Sequence, residues 1–270
     1  MLVNGKNCDL ISIRDRGVLY GDGVFRTMLV SQGHAMHWPL HYRKLQGDCA
    51  VLGMKCPDFA LLSNELEELL TKHPHGVLKL VITRGPGKRG YAPSNFDDPT
   101  RIWDAVSLPD YPADCAIGGV KVRWCQIRLS HQPRLAGIKH LNRLENVLAA
   151  AESDNEGIGE GLLMDMTGNV IEGIRSNVFL VSQGGLITPD LSNCGVAGVQ
   201  RERVMALALE YGMPVQVRHI IPDEVMNADE VFLVNSIIGL WPVRELGQHR
   251  WADFPVAMQF QKYLNQTDHK

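Results

Sequence analysis

Covalent chemistry is within reach of one lysine in this chain. Lys139 sits between apolar neighbours in Leu135-Ala-Gly-Ile-Lys-His-Leu-Asn-Arg-Leu-Glu-Asn146, just after a glycine. Ile138, Leu141, Leu144, Val147 and Leu148 recur at helical spacing, which predicts a helix with Lys139 at its mouth. A lysine at the edge of an apolar face can be partly desolvated, and desolvation frees its amine as a nucleophile. That is the requirement of a Schiff-base lysine. A lysine snorkelling from a helix end is the commoner meaning of such a segment.

Two further segments offer complementary chemistry. In Gly168-Asn-Val-Ile-Glu-Gly-Ile-Arg-Ser-Asn177 a carboxylate, Glu172, stands at the end of a strand beside β-branched residues. A carboxylate buried there needs a partner, and a protonated ring nitrogen would serve as well as an arginine. Arg175, Ser176 and Asn177 follow as polar donors on a turn. In Cys194-Gly-Val-Ala-Gly-Val-Gln-Arg-Glu202 two glycines precede a helix predicted to begin at Val199. Free N–H groups and the helix dipole make such an end suitable for an anion such as phosphate. Arg43 lies on a helix of the first segment, where a surface role is the commoner one. The loop Thr83-Arg-Gly-Pro-Gly-Lys-Arg-Gly-Tyr91 brings Arg84, Lys88 and Arg89 together and suggests anion capture. Asp15-Arg-Gly-Val-Leu-Tyr-Gly-Asp-Gly-Val-Phe-Arg-Thr27 implies a tightly turned backbone leading into a strand.

The elements that would carry these residues read as follows. Gly23–Val30 alternates as a strand. Helices are predicted over Pro39–Leu52 and Asp58–Lys72, the second acidic on its outer face at Glu65, Glu67 and Glu68. Gly76–Thr83 and Arg101–Leu108 are strands. Pro109-Asp-Tyr-Pro112 breaks the pattern and predicts a boundary between domains at 1–109 and 110–270. Beyond it come strands at Gly119–Cys125, Gly161–Asp165, Asn169–Ile171, Val178–Val181, Gly185–Thr188, Val215–Ile220 and Glu230–Asn235, with a helix over Val199–Tyr211. Long antiparallel-looking runs with a few helices argue for an α+β fold rather than a doubly wound α/β sheet.

Composition narrows the function classes. A net charge of -3 gives no footprint for nucleic acid or an anionic membrane. No stretch is apolar for the length of a membrane span. Met1-Leu-Val-Asn-Gly-Lys-Asn7 lacks the apolar core of a signal peptide, so a cytoplasmic location is the expectation. The six cysteines form no C-x-x-C pair and no histidines fall in an H-E-x-x-H frame, so a metal site is not expected.

In chain order, Asp15-Arg-Gly17, Tyr20-Gly-Asp-Gly23, Arg43, Thr83-Arg-Gly85, Lys139, Glu172, Asn177 and Gly198 resemble the fold-type IV pyridoxal phosphate enzymes. That family includes branched-chain and D-amino-acid aminotransferases. Within it, Leu135–Glu145 and Arg84–Tyr91 are most similar to the lyase branch acting on 4-amino-4-deoxychorismate. The resemblance implies a small N-terminal α/β domain, a larger C-terminal β-rich domain that binds the cofactor, and a homodimer. It implies that Lys139 carries pyridoxal 5'-phosphate and later acts as base. Glu172 would face the pyridine nitrogen. Arg43, the N–H groups of Val199 and Gln200, Ser176 and Asn177 would hold the phosphate, with Ser236 near the cofactor. Thr27 would supply a catalytic hydroxyl. Arg89 and Tyr91 match positions that bind a substrate carboxylate. Arg26 stands where aminotransferases carry an acid; it either offers a cation to a dianionic substrate or points away and leaves Phe25 facing the site. The implied reaction eliminates pyruvate and leaves 4-aminobenzoate for folate synthesis. The alternative is an aminotransferase of the same fold, acting on D- or branched-chain amino acids.

Overall fold

A computed structural model describes residues 1–93, 98–152 and 157–267. The chain divides into two compact units, one of Met1–Pro109 with Ile138–Asn142, the other of Asp110–Gly137 with Arg143–Lys270.

The first unit contains β1 (Leu2–Val3), β2 (Lys6–Asn7), α1 (Arg16–Tyr20), β3 (Gly23–Ser31), β4 (His34–Ala35), α2 (Trp38–Val51), α3 (Phe59–Lys72), β5 (Gly76–Thr83) and β6 (Arg101–Val106). Its strands form a six-stranded antiparallel sheet in the order β2-β1-β6-β5-β3-β4. One face is packed. Val24, Met28 and Val30 of β3 meet Leu78, Leu80 and Ile82 of β5, Trp103 of β6, and Leu45, Leu62 and Leu66 of the two longer helices. Strand alternation then sends Phe25, Thr27 and Leu29 to the opposite face, where each is half-buried.

Glu65 departs from its expected place on the outer face of α3. It is buried, and its Oε1 accepts from Arg101 Nε at 2.9 Å while Oε2 accepts from the indole N–H of Trp103 at 2.9 Å. Fully buried Trp103 must place a polar N–H, and Glu65 supplies the acceptor. Glu65→Ala should therefore cost about 2–3 kcal/mol, since charged hydrogen bonds are lost and a buried donor is stranded. Urea unfolding measures this, and a cost below about 0.5 kcal/mol, the level of an ordinary surface substitution, would contradict it.

The second unit contains β7 (Val120–Leu129), α4 (Leu144–Ala151), β8 (Ile158–Asp165), β9 (Val170–Gly173), β10 (Asn177–Ser182), β11 (Gly185–Pro189), α5 (Val199–Glu210), β12 (Val215–Arg218), α6 (Pro222–Met226), β13 (Glu230–Asn235), β14 (Gly239–Leu246), β15 (His249–Arg250) and α7 (Pro255–Thr267). One nine-stranded sheet runs β12-β11-β10-β13-β14-β7-β8-β9, with β15 on β14. It is mixed rather than wholly antiparallel: β7 lies parallel to both β8 and β14, and β11 to β12. On one side α5 and α7 cover Phe179, Phe232 and Val234 with Val204, Ala208 and Phe260. Among the described residues no helix is long and apolar enough to cross a membrane.

Candidate active site

Lys139 lies in extended backbone, not at a helix mouth. Gly137 takes a left-handed φ of 77°, and α4 begins only at Leu144. The intervening residues pair with the start of β3: Phe25 N–H donates to Lys139 O at 2.9 Å, Leu141 N–H to Gly23 O at 3.0 Å, and Val24 bridges His140. Gly23 is required there, because a Cβ would lie 2.6 Å from the Ile82 carbonyl and 2.8 Å from the Leu141 side chain. The helical periodicity read through Lys139 thus belongs to two different structures. Ile138 is buried, whereas Leu144, Val147 and Leu148 are 74%, 58% and 55% exposed.

The other side of this backbone is held by a buried acid. Lys139 N–H donates to Asp48 Oδ2 at 2.9 Å. The same carboxylate receives the Arg26 guanidinium and, on Oδ1, the Lys44 ammonium at 2.5 Å. Arg26 is 2% exposed. It points into the core with Val24 and Met28, so the expectation that it offers its charge to a substrate is corrected. Strand parity decides this: with Arg26 inward, Phe25 and Thr27 face outward. The Lys139 Nζ sits 4.7 Å from the Phe25 ring centroid. The lysine amine, Phe25 and Thr27 are therefore associated with one face of the first unit's sheet.

The Asp15–Thr27 loop is tied down by carboxylates whose roles are structural. Asp15 is fully buried, caps α1 at Gly17 N–H, and accepts from Thr83 and Thr100. Asp22 receives both Arg16 Nε and Arg84 Nε at 2.8 Å. Burial raises the Asp22 carboxyl, but the hydrogen bonds from Arg84 and Arg16 outweigh this and hold it below the usual carboxylate range. Arg84 spends its remaining donors on the Leu52 and Gly53 carbonyls, so this member of the expected anion-capturing loop is consumed by the fold. Arg16 donates to the Gly90 and Tyr91 carbonyls at 3.0 and 2.7 Å and thereby holds the loop end. Arg89 is exposed there, and the exposed Tyr91 ring packs on Tyr20 at 5.4 Å between centroids. Arg43 is exposed on α2.

In the second unit, Glu172 is buried on β9, and its Oε2 accepts from Val196 N–H at 2.8 Å. Val196 begins a loop that ends at α5. Gly137 N–H donates to Gly195 O at 2.9 Å and Ala197 N–H to Gly137 O at 3.0 Å. Asn177 fastens the rest: its Nδ2 donates to Val196 O at 2.8 Å and its Oδ1 accepts from Gly198 N–H at 3.1 Å. A Cβ at Gly198 would come within 2.4 Å of Asn177 Oδ1, so glycine permits this approach. Gly198 is the N-cap of α5 and carries no side-chain cap bond. The first-turn N–H groups of Val199 and Gln200 have no intrahelical acceptor, although both residues are buried. An uncapped, buried helix start of this kind suits an anion. One loop thus joins a buried carboxylate to an anion-competent helix end. Gln200 turns its side chain aside to accept from Arg203.

Ser176 is buried, and its hydroxyl donates to Glu160 Oε2 at 3.1 Å, the same oxygen that accepts from Arg175 N–H. Burial raises the Glu160 carboxyl despite these bonds and the nearby Arg175 charge. Asn235 donates to Arg175 O at 3.1 Å and accepts from Ile237 and Ile238 N–H, which fixes the turn carrying half-buried Ser236. Sequence reading missed Asp48, Glu160 and Lys79, all within otherwise regular elements. Only the Lys79 position carried a signal, a lone cation in an apolar strand.

A family model described as amino-transferase class IV matches residues 23–246. The aminodeoxychorismate lyase of Vibrio harveyi is 33% identical over 94% of this chain and 94% of its own length. A putative branched-chain-amino-acid aminotransferase of Methanocaldococcus jannaschii is 30% identical over 90% of this chain and 86% of its own. The crystal structure of 4-amino-4-deoxychorismate lyase from Pseudomonas aeruginosa matches with a TM-score of 0.95 and 42% identity, covering 98% of both chains. The family match takes in the Lys139 segment, the Glu172 strand and the start of α5, and the chain belongs to the class IV aminotransferase family.

Proposed function

We propose that this protein is a pyridoxal-phosphate-dependent 4-amino-4-deoxychorismate lyase, releasing pyruvate and 4-aminobenzoate in the cytoplasm for folate synthesis. The observation that carries this reading is the full-length similarity to proteins named as that lyase, at 33% and 42% identity. The residues fit the cofactor's chemistry. Glu172 and the uncapped α5 start offer complements to a ring nitrogen and to a phosphate, and Lys139 offers an amine.

Bound pyridoxal phosphate supplies an electron sink for the charge left when a proton leaves the amine-bearing carbon. In this reading Glu172 keeps the ring nitrogen protonated, and its burial strengthens that pairing. The N–H groups of Val199 and Gln200 hold the phosphate, with Asn177 shaping the loop before them. Arg43, Ser176 and Ser236 are proposed to assist, Ser176 through a hydroxyl whose proton is already given to Glu160. Lys139 anchors the cofactor and then takes the proton beside the amine. The Thr27 hydroxyl, on the Phe25 face, donates to the departing ether oxygen. Phe25 packs on the substrate ring, and Arg89 and Tyr91 approach a carboxylate. Loss of the enolpyruvyl group leaves an aromatic ring, which drives the step. The domains expected at 1–109 and 110–270 are read as the small domain and the cofactor-binding domain, with the Lys139 segment, Ile138–Asn142, grouped with the first unit. The homodimer belongs to the same reading: Leu144, Val147 and Leu148 form an exposed apolar face on α4 that a second copy would cover.

The test offers purified protein 4-amino-4-deoxychorismate and, separately, D-alanine or a branched-chain amino acid with 2-oxoglutarate. Pyruvate and 4-aminobenzoate from the first with little transamination in the others is the expected result. The reverse pattern would make the protein an aminotransferase.

A further inference from the structure

We propose that Lys79 is the cation that holds a carboxylate of the substrate, an assignment that rests on the lyase reading above. Lys79 is exposed in β5, while its neighbours Leu78 and Leu80 are fully buried in the core. Its side chain therefore leaves on the face opposite the core. In the sheet register it lies directly across from Thr27 on β3, and directly opposed residues share a face.

Where the ammonium goes on that face is informative. Asp104 lies across from Lys79 on the other side, on β6. Opposite charges in that position can pair. Among the described residues, however, no carboxylate lies within ion-pair distance of Lys79. Its Nζ sits instead 5.2 Å from the centroid of the Phe25 ring, the ring that also has Lys139 Nζ at 4.7 Å. The Lys79 ammonium is thus placed beside the amine that the lyase reading puts at the reacting carbon. The contrast with Arg26 sharpens the point. The cation that the sequence offered to the substrate is spent on Asp48, and the cation on the Thr27 face is Lys79. A lysine serves as a point charge for a carboxylate, and the ring of Phe25 fixes its reach. The ligand class is an aromatic or cyclohexadienyl carboxylate bearing the reacting amine.

Wild-type protein reconstituted with pyridoxal phosphate is titrated calorimetrically with 4-aminobenzoate, and with aniline as the same ring and amine without the carboxylate. Lys79→Met and Lys79→Arg are compared. Because Lys79 is exposed, both variants should fold. The expected result is that Lys79→Met weakens 4-aminobenzoate binding about tenfold or more, leaves aniline unchanged, and raises KM with kcat held within about threefold, while Lys79→Arg restores binding. The proposal is overturned if wild type shows no saturable 4-aminobenzoate binding, if Lys79→Met binds it within about twofold of wild type, or if aniline loses as much. A loss that Lys79→Arg does not restore overturns it equally. Failure of the lyase reading looks different: wild type would release no pyruvate, while the carboxylate-selective loss in Lys79→Met would persist.

Discussion

Lys139→Ala should lower lyase turnover by about a thousandfold or more, because it removes both the covalent anchor and the general base. The structure separates this chemical loss from a folding defect. Two bonds hold the Lys139 backbone through its own main-chain atoms: its carbonyl accepts from Phe25 N–H and its N–H donates to Asp48. Truncating the side chain removes neither bond. Alanine also tolerates extended backbone, so the thermal midpoint should stay within a few degrees of wild type. Borohydride treatment should fix cofactor to Lys139 in the wild-type protein, detected as a mass shift on the peptide that carries it. The variant should show no such adduct and no visible absorbance from attached cofactor. Lys139→Arg is the control for charge, since it keeps a cation near Phe25 but cannot form the imine. If either variant turned over at the wild-type rate, Lys139 would be an ordinary surface lysine.

What the sequence could reveal followed the range of the interactions involved. β3, α2, α3, β5 and β13 were legible because local periodicity and flanking turn residues define them. Glu172, Asn177 and Gly198 stood out for the same reason, on a strand end, a turn and a glycine before a helix. The frame around Lys139 was not legible. Its short non-helical segment pairs with Gly23 and Phe25, more than a hundred residues earlier, and is bonded by Asp48. Periodicity then joined Ile138 and Leu141 to a helix that starts only at Leu144. The α7 helix was missed as well, although Phe260 and Leu264 pack it against the sheet of the second unit. Arg26 illustrates a different limit. Alternation separates the two faces of β3 but does not say which face is core until the partner of the charge, Asp48, is found on α2. Glu65 is the same case in reverse: a helical acid looks solvated until a buried tryptophan needs its oxygen.

Asp48→Ala carries the other large effect, and here the first loss is stability. Arg26 and Asp48 are 2% and 0% exposed, so the substitution leaves a buried guanidinium without its counter-ion. Burial already pulls Arg26 below its ordinary range, and the charge of Asp48 and its hydrogen bond oppose that pull. Removing one partner of a buried pair typically costs about 3–5 kcal/mol. The urea midpoint should fall accordingly, and a loss below about 1 kcal/mol, the median for a surface ion pair, would contradict a buried one. Arg26→Met with Asp48→Asn should recover most of that stability, because the unpaired charge is gone and an amide oxygen can still accept Lys139 N–H. Arg26→Met with Asp48→Leu removes that acceptor too. The two double variants differ chiefly in the bond to the lysine backbone, so comparing them isolates it. If Asp48 positions Lys139, the leucine version should bind cofactor more weakly and turn over more slowly at similar stability, while the asparagine version keeps both. Equal behaviour would confine Asp48 to holding the core around Arg26, and the lysine would owe its placement to its pairing with β3.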